Sequence, residues 1–431
     1  MRAEPSTATL AADPRLPQRD LLLDEAEVAR RLSASLGLRG RLTVSACERV
    51  RTKYRVGDSL RVLHRVRIGG RDYAVAARAF AAGRSRRAYE RAARGAVGCA
   101  PLRAVLHDAE LETVFWTFPN DRKLAGLELL REVPAELARL FAPAWTRSRL
   151  VAYAPEKCAT AQCLDEESRV VAYAKVYAGD EGRRVYHAYR GLGRQLTSGG
   201  GALMLPRALA YDDARRTLLL EPVEGTRAAD LGAEEMPRCY DQLGASLAAL
   251  HSLRAPEGLP AFSRLTPARI DRAALVIGSA RPDARREASR LAAELGRRWE
   301  PSAGPRVCLH GDVHPKNFIA RGGAFTLIDL DQCGAGDAAA DLGSLLAGLA
   351  YADITAGAPR PSAKTLGDAF LSGYASARAL PPPASLRWHT AAALLAERAL
   401  RAVNRVRPEG LARLGELLAA AFDALGERGA R

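Results

Sequence analysis

A chain of 431 residues with a formal charge of +15 has the apolar and charged fractions of a globular protein, and on length it holds about two to four domains. No apolar run approaches the roughly 20 residues needed to span a bilayer. The first 20 residues carry acids and prolines where a signal peptide needs an apolar core, so a cytoplasmic protein with no membrane partner is expected. The basic residues are dispersed through Ala/Arg/Leu-rich helical text rather than clustered, which argues against a nucleic-acid partner. Seven scattered cysteines without a Cys-x-x-Cys pair read as reduced thiols.

In chain order, residues 1–36 read as an irregular leader ending in a helix from Leu23 to Leu36. Strand-rich text follows. Leu60 to Ile68 alternates, Gly69-Gly70 signals a hairpin, and Tyr73 to Phe80 is the next strand. Arg84 to Arg94 reads as a helix, and Leu102 to Leu106 and Thr113 to Phe118 as strands. The same order then recurs: a hairpin from Tyr153 to Leu164, a strand from Arg169 to Tyr177, a helix from Arg183 to Leu192, and strands at Leu205 to Tyr211 and Thr217 to Leu220. "YAVAARAF" at Tyr73 lies over "VVAYAKVY" at Val170, and "RAVLHDAELETVFW" at Arg103 over "RALAYDDARRTLLL" at Arg207. Either a unit has been duplicated, over about residues 37–130 and 140–225, or two unrelated modules have converged on similar text; duplication is the preferred expectation. From residue 226 to 431 the text is helical, with Met236 to Leu253, Pro267 to Ile277 and Asp283 to Trp299 leading, interrupted by a short β segment from Val307 to Asp331. A small antiparallel sheet followed by a helical part is a bilobal α+β architecture.

The chemistry concentrates in that β segment. An apolar strand ends in His310-Gly311-Asp312, a polar loop carries Asn317, and a second apolar strand delivers Asp329. Two carboxylates and an amide at one end of a hairpin suit phosphoryl transfer: one carboxylate to deprotonate a hydroxyl, the amide oxygen and the other carboxylate as hard ligands for Mg2+. Elsewhere the chain uses arginine almost wherever it needs a cation. Only six lysines occur, so Lys175, inside a strand and read as facing inward, calls for a specific reason such as a phosphate pocket.

The text "VCLHGDVHPKNFIA" and "AFTLIDLDQCGAGDAAADLGS" resembles the aminoglycoside phosphotransferase and choline kinase-like family, whose signature H-G-D-x-H-x-x-N, I-D and G-D-x-x-x-D-L is present as His310, Gly311, Asp312, His314, Asn317, Ile328, Asp329, Gly336, Asp337, Asp341 and Leu342. The resemblance implies a bilobal protein-kinase-like fold, with a small antiparallel β N-lobe, here apparently duplicated on the evidence of the repeated text, and a mainly helical C-lobe. It also implies ATP and Mg2+ as cofactors, and a small-molecule hydroxyl compound as substrate. Asp312 is implied as the catalytic base, Asn317 and Asp329 as metal ligands, and His310 and Asp341 as supports of the loop. Lys175 is implied as the phosphate-binding lysine. In "LLLEPVEG" the Glu221 carbonyl and Val223 amide fall where a kinase hinge holds adenine, with Pro222 at the position that needs no donor.

His310 and His314 read as packing residues, and Asp331 is open between a metal or substrate contact and a solvated side chain. The hairpin "YAPEKCATA" from Tyr153 has no glycine where such folds place a Gly-rich loop, and the usual acidic partner of Lys175 is not evident, with Glu181 a candidate. The run Arg360, Arg378, Arg387, Arg398, Arg401, Arg405 and Arg407 leans toward a neutral or anionic acceptor, a sugar or specialised metabolite rather than an aminoglycoside. A nucleotide-binding pseudo-kinase without an acceptor is the alternative, disfavoured because ATP binding alone needs no base at Asp312. The first repeat, with Arg78 in place of Lys175 and no His-Gly-Asp loop after it, is expected to be a non-catalytic copy.

Overall fold

Buried polar residues anchor the leader, expected to be irregular, from its first described residues. The structure is a computed structural model described for residues 10–35, 43–81, 83–142, 144–196, 203–262, 264–301, 304–321, 324–355 and 361–426. Two compact units emerge, the first of Met1–Asp180, Asp212–Thr217 and Val403–Pro408, the second of Glu181–Tyr211, Leu218–Ala402 and Glu409–Arg431.

In the first unit, short helices α1 (Arg19–Leu23) and α2 (Glu25–Ser35) precede strand β1 (Val44–Arg55). Asp13 accepts from the Tyr54 hydroxyl at 2.6 Å and the Gly57 amide at 2.8 Å, while the buried Arg19 pairs with Asp20 at 2.6 Å. These bonds tie the leader to β1. The strands β2 (Ser59–Ile68) and β3 (Arg71–Ala79) form the hairpin expected at Gly69-Gly70, whose two positive φ angles suit a two-residue turn with Ile68 opposite Arg71. Helix α3 (Ser85–Ala93) follows, then β4 (Val105–Asp108) and β5 (Thr113–Thr117), giving an antiparallel sheet of order β1-β2-β3-β5-β4. A short helix α4 (Ala135–Ala138) leads to a second antiparallel meander, β6 (Arg147–Ala154), β7 (Cys158–Leu164) and β8 (Val170–Tyr177). A bulge interrupts the first hairpin of each set, at Arg49/Arg51 and at Leu150/Ala152.

The two sets meet at one side chain. In the β6–β7 turn, the Lys157 amide donates to the Ala154 carbonyl at 2.9 Å and Glu156 sits at φ 58, a conformation that favours glycine. Glu156 is held there by its contacts. Its amide donates to Asp121 at 2.9 Å, and its buried carboxylate receives Arg61 at 3.2 Å, Arg122 at 2.7 Å and Arg78. Burial by itself raises the Glu156 carboxyl; hydrogen bonds from Arg122 and Arg78 outweigh it and draw the group down to about 2.

The second unit opens with α5 (Glu181–Leu196), two turns longer in all than the stretch read from sequence, then β9 (Leu203–Met204), β10 (Ala208–Asp212), β11 (Thr217–Leu220) and β12 (Thr226–Arg227). Helices α6 (Met236–Ser252), α7 (Pro267–Ala280) and α8 (Arg285–Arg297) are followed by β13 (Val307–Leu309), β14 (Phe318–Arg321), β15 (Ala324–Leu327) and β16 (Gly334–Gly336). Six α-helices follow among the described residues: α9 (Ala338–Thr355), α10 (Ala363–Ala377), α11 (Pro383–Ala393), α12 (Leu400–Arg405), a short α13 (Pro408–Ala412) and α14 (Leu414–Ala424). Gly244 and Gly373 let α6 and α10 touch backbone to backbone: a Cβ on Gly373 would lie 1.8 Å from the Asp241 carbonyl oxygen.

Glu156→Gln should cost about 3 kcal/mol at neutral pH, because it leaves three guanidinium groups without their carboxylate. The folded carboxyl lies below its unfolded value, so its contribution is full above pH about 4.5 and is lost as pH falls toward about 2. In urea unfolding series the gap between wild type and variant should therefore narrow across that window. A constant gap would show that the carboxylate charge is not what Glu156 contributes.

Candidate active site

Two strand pairs bring the functional residues to one end. β13 pairs antiparallel with β16, and β14 with β15, Phe318 opposite Leu327. Asp312 lies just beyond β13, Asn317 just before β14 and Asp329 just beyond β15. The Ile328 amide donates to the Asn317 carbonyl at 2.9 Å, which closes the hairpin end.

The turn after β13 is wound around a buried carboxylate. Asp341, in the first turn of α9, accepts the His310 amide at 2.7 Å and the Gly311 amide at 2.9 Å, and faces His251 Nε2 at 3.2 Å. Gly311 has φ +78, and a Cβ there would lie 2.1 Å from the Gln332 carbonyl oxygen, so only glycine fits. The buried His310 accepts the Asp312 amide at Nδ1, 3.2 Å, leaving Nε2–H to donate to the Ile328 carbonyl at 3.0 Å. His310 thus joins the loops of Asp312 and Asp329, the packing role read for it. His314 caps the Pro315–Asn317 turn by accepting the Lys316 amide at 3.2 Å. Burial, reinforced by Arg398, pushes its imidazole down to about 4.

Asn317 donates Nδ2 to the Asp312 carbonyl at 3.0 Å, an anchor that fixes the orientation of the amide. Asp329 adopts φ 66, ψ 61, a left-handed conformation uncommon outside glycine and a form of local strain that clusters at functional sites. Asp312 Oδ1 faces Arg401 at 3.5 Å. Burial raises the Asp312 carboxyl, but the Arg401 and Arg264 charges outweigh it and hold the group below the usual carboxylate range, against a smaller opposing push from Asp329. Asp331, left open by the sequence, is buried in the Leu330–Gln332 turn, and its carbonyl accepts Arg184 at 3.4 Å.

A buried network supports this end, and sequence reading missed most of it. Arg264 donates to the Gly311 carbonyl and pairs with Glu397 at 3.1 Å; Glu397 accepts the Ser344 hydroxyl at 2.6 Å. Glu397 and Arg398 ride on a π-helical turn, Leu394–Ala399, a feature frequent at functional sites. No local pattern marks Arg264 or Glu397. His251 had one signal, a histidine on the face of α6 that buries Leu243, Leu247 and Leu250.

The arginine run read as acceptor-facing is corrected. Arg398 is buried and bound to the Ser344 carbonyl, Arg405 and Arg407 belong to the first unit, and Arg360 lies outside the described residues. Arg401 stands at Asp312 itself.

Lys175 belongs to the first unit, on β8 opposite Thr160. Its face, with Val171 and Tyr173, is half-buried, whereas Ala172, Ala174 and Val176 are buried, so the inward placement expected for it is also corrected. Its ammonium stands 5.4 Å from the Tyr177 ring centroid. Glu181 is exposed and forms no ion pair among the described residues. In the second unit the Glu221 side chain accepts the Arg207 amide at 2.7 Å, while the Glu221 carbonyl and Val223 amide have no hydrogen-bond partner among the described residues. Among the described residues no cluster of three His, Cys, Asp or Glu side chains could hold a metal, so a cation here would draw on Asn317, Asp329 and oxygens of its own phosphate ligand.

Residues 172–380 match the family described as the phosphotransferase enzyme family. The match spans just under half of the chain. The phosphotransferase match takes in Lys175, Glu221, Val223 and the whole segment from Val307 to Leu342, and leaves outside it the first repeat and the arginine-bearing π turn. None of the curated proteins compared matches the chain. Among solved structures, a spectinomycin phosphotransferase bound to ADP and spectinomycin is 15% identical, with a TM-score of 0.47, over 67% of this chain and 97% of that one. An aminoglycoside phosphotransferase from Streptomyces rimosus is 22% identical, TM-score 0.41, over 58% and 92%. A choline/ethanolamine kinase family protein from Mesorhizobium loti is 17% identical, TM-score 0.41, over 62% and 88%. These likenesses are distant, and the family assignment of the phosphotransferase segment rests on the match over its own residues.

Asp341→Ala would leave two buried backbone amides and His251 without an acceptor. The expected loss is about 3 kcal/mol, read as a fall of several degrees in the thermal midpoint. Asp341→Asn, which still offers one acceptor oxygen, should recover part of that loss; equal midpoints for the wild type and Asp341→Ala would remove Asp341 from its supporting role.

Proposed function

We propose that the chain is an ATP- and Mg2+-dependent kinase that moves the γ-phosphate to a hydroxyl of a small molecule, a sugar or specialised metabolite rather than an aminoglycoside. The observation that carries this reading is the convergence of Asp312, Asn317 and Asp329 at one end of two strand pairs, with Asp312 held in its ionised form by neighbouring arginines.

An ionised Asp312 is in the state needed to accept the proton of an acceptor hydroxyl as it attacks. Asn317, its amide nitrogen anchored, presents an oxygen beside the Asp329 carboxylate, and the pair suits a hard cation. Mg2+ held there would offset charge on the transferred phosphoryl group. Lys175 supplies a compact ammonium for the phosphates, and the open Glu221 carbonyl and Val223 amide offer one acceptor and one donor to the adenine edge. The cations Arg264, Arg398 and Arg401 act on Asp312 or on His314 beside it. A polycationic acceptor would meet repulsion there, which supports a neutral or anionic one.

Asp312→Asn should lower acceptor-stimulated ADP release about 10^3-fold while Mg2+-ATP binding stays near wild type, since the base acts on the acceptor. Asp329→Ala and Lys175→Ala should instead weaken nucleotide binding, Asp329→Ala with loss of its Mg2+ dependence. Near-wild-type turnover in Asp312→Asn would remove the base assignment, and ATP binding without turnover over a broad panel of hydroxylated metabolites would favour a regulatory nucleotide-binding protein.

Kanamycin-type aminoglycosides should stimulate no ADP release beyond the acceptor-free rate. Strong stimulation would overturn the argument from the arginines around Asp312.

A further inference from the structure

A cavity of about 1960 Å3 lies entirely within the first unit, and none of the residues proposed for catalysis lines it. It is bounded by β3, α3, the end of β5 and the segment that follows. Eight Lys and Arg side chains line it against five Asp and Glu.

Three of the five acids, Asp58, Asp121 and Glu136, already have partners, while Glu128 and Glu132 form no ion pair among the described residues. Asp121 accepts the Tyr153 hydroxyl and three backbone amides, and Glu136 faces Arg215 at 3.1 Å. Several of the cations have no such partner. Arg84, Arg87 and Arg91 along α3, and Arg131 across the cavity, carry no ion pair among the described residues. Arg87 and Arg91 stand at i and i+4 on one helix face, a spacing at which like charges repel. Glu90, the acid of that helix, turns instead to Arg86 at 3.1 Å.

The wall carries a second signal. Arg78 Nε and the indole Nε1–H of Trp116, which is 3% exposed, are buried donors without a hydrogen-bond partner. Buried donors left unpaired are costly, and here they occur with uncompensated positive charge around one concave space. Both conditions are relieved by the same kind of occupant: a multiply charged acceptor-rich anion, for which guanidinium groups are suited donors.

We propose that this cavity is a binding site for a phosphorylated small molecule carrying two or more negative charges. All of its lining residues but Arg215 precede the phosphotransferase segment, which begins at residue 172, so the ligand would belong mainly to the first repeat. Arg78 lines the cavity and also holds Glu156 in the β6–β7 turn.

The probe is inorganic pyrophosphate, titrated calorimetrically into the full-length chain without Mg2+ at physiological ionic strength. Saturable binding is expected, retained in Lys175→Ala and weakened at least tenfold in Arg87→Ala/Arg91→Ala and, independently, in Arg131→Ala. These arginines are exposed and alanine suits a helix, so thermal midpoints and acceptor-stimulated ADP release should stay near wild type. The proposal is overturned by absence of binding, by affinity unchanged in both arginine variants, by loss of binding in Lys175→Ala, or by equal competition from chloride at matched ionic strength.

Discussion

The catalytic end of the second unit depends on the carboxylate of Asp341. A buried anion is tolerated only where donors surround it, and Asp341 has three: the amides of His310 and Gly311 and the imidazole of His251. Its place in the first turn of α9 adds the favourable end of a helix dipole. One side chain thereby joins α9, α6 and the turn after β13, and through His251 it reaches the Tyr374 hydroxyl of α10 at 2.9 Å. With Gly311 pressed against the Gln332 carbonyl, the backbone before Asp312 has little freedom left, and the direction of Asp312 follows from that.

Electrostatics around Asp312 is the work of residues distant in sequence. Arg264 arrives from the segment before α7, Arg398 from a π turn and Arg401 from the helix after it. A carboxylate buried among hydrocarbon would take up a proton; among these guanidinium groups it stays ionised. The same charges bear on what can approach Asp312, so its ionised state and the acceptor preference proposed for the chain would have one physical origin.

In the first unit Glu156 plays a comparable part. The turn between β6 and β7 lacks the glycine that its backbone favours, and a carboxylate gripped by Arg61, Arg78 and Arg122 holds the left-handed conformation instead. Hairpin, strand, helix and two strands recur in the same chain order in residues 44–117 and 147–220. If the repeats share an ancestor, the arginine standing where the second has Lys175 serves to brace the second repeat's turn. It also borders the basic cavity.

Periodicity and turn residues in the sequence already determined most strands and helices of this protein, because these are local: the Gly69-Gly70 hairpin, the alternation of β2 and β8 and the apolar faces of α6 and α7 each arise within a dozen or so neighbours. The gathering of Asp312, Asn317 and Asp329 was legible for the same reason, since a hairpin of about twenty residues brings them together. Tertiary structure alone decided the rest. Whether Lys175 faces inward, whether Arg398 is buried or exposed and which arginine meets Asp312 depend on contacts between segments tens to more than a hundred residues apart, and an arginine carries no mark of its partner in its own neighbourhood. Glu156 shows the limit most clearly: its three guanidinium partners come from β2, β3 and the segment after β5, and only the packed chain brings that charge into balance.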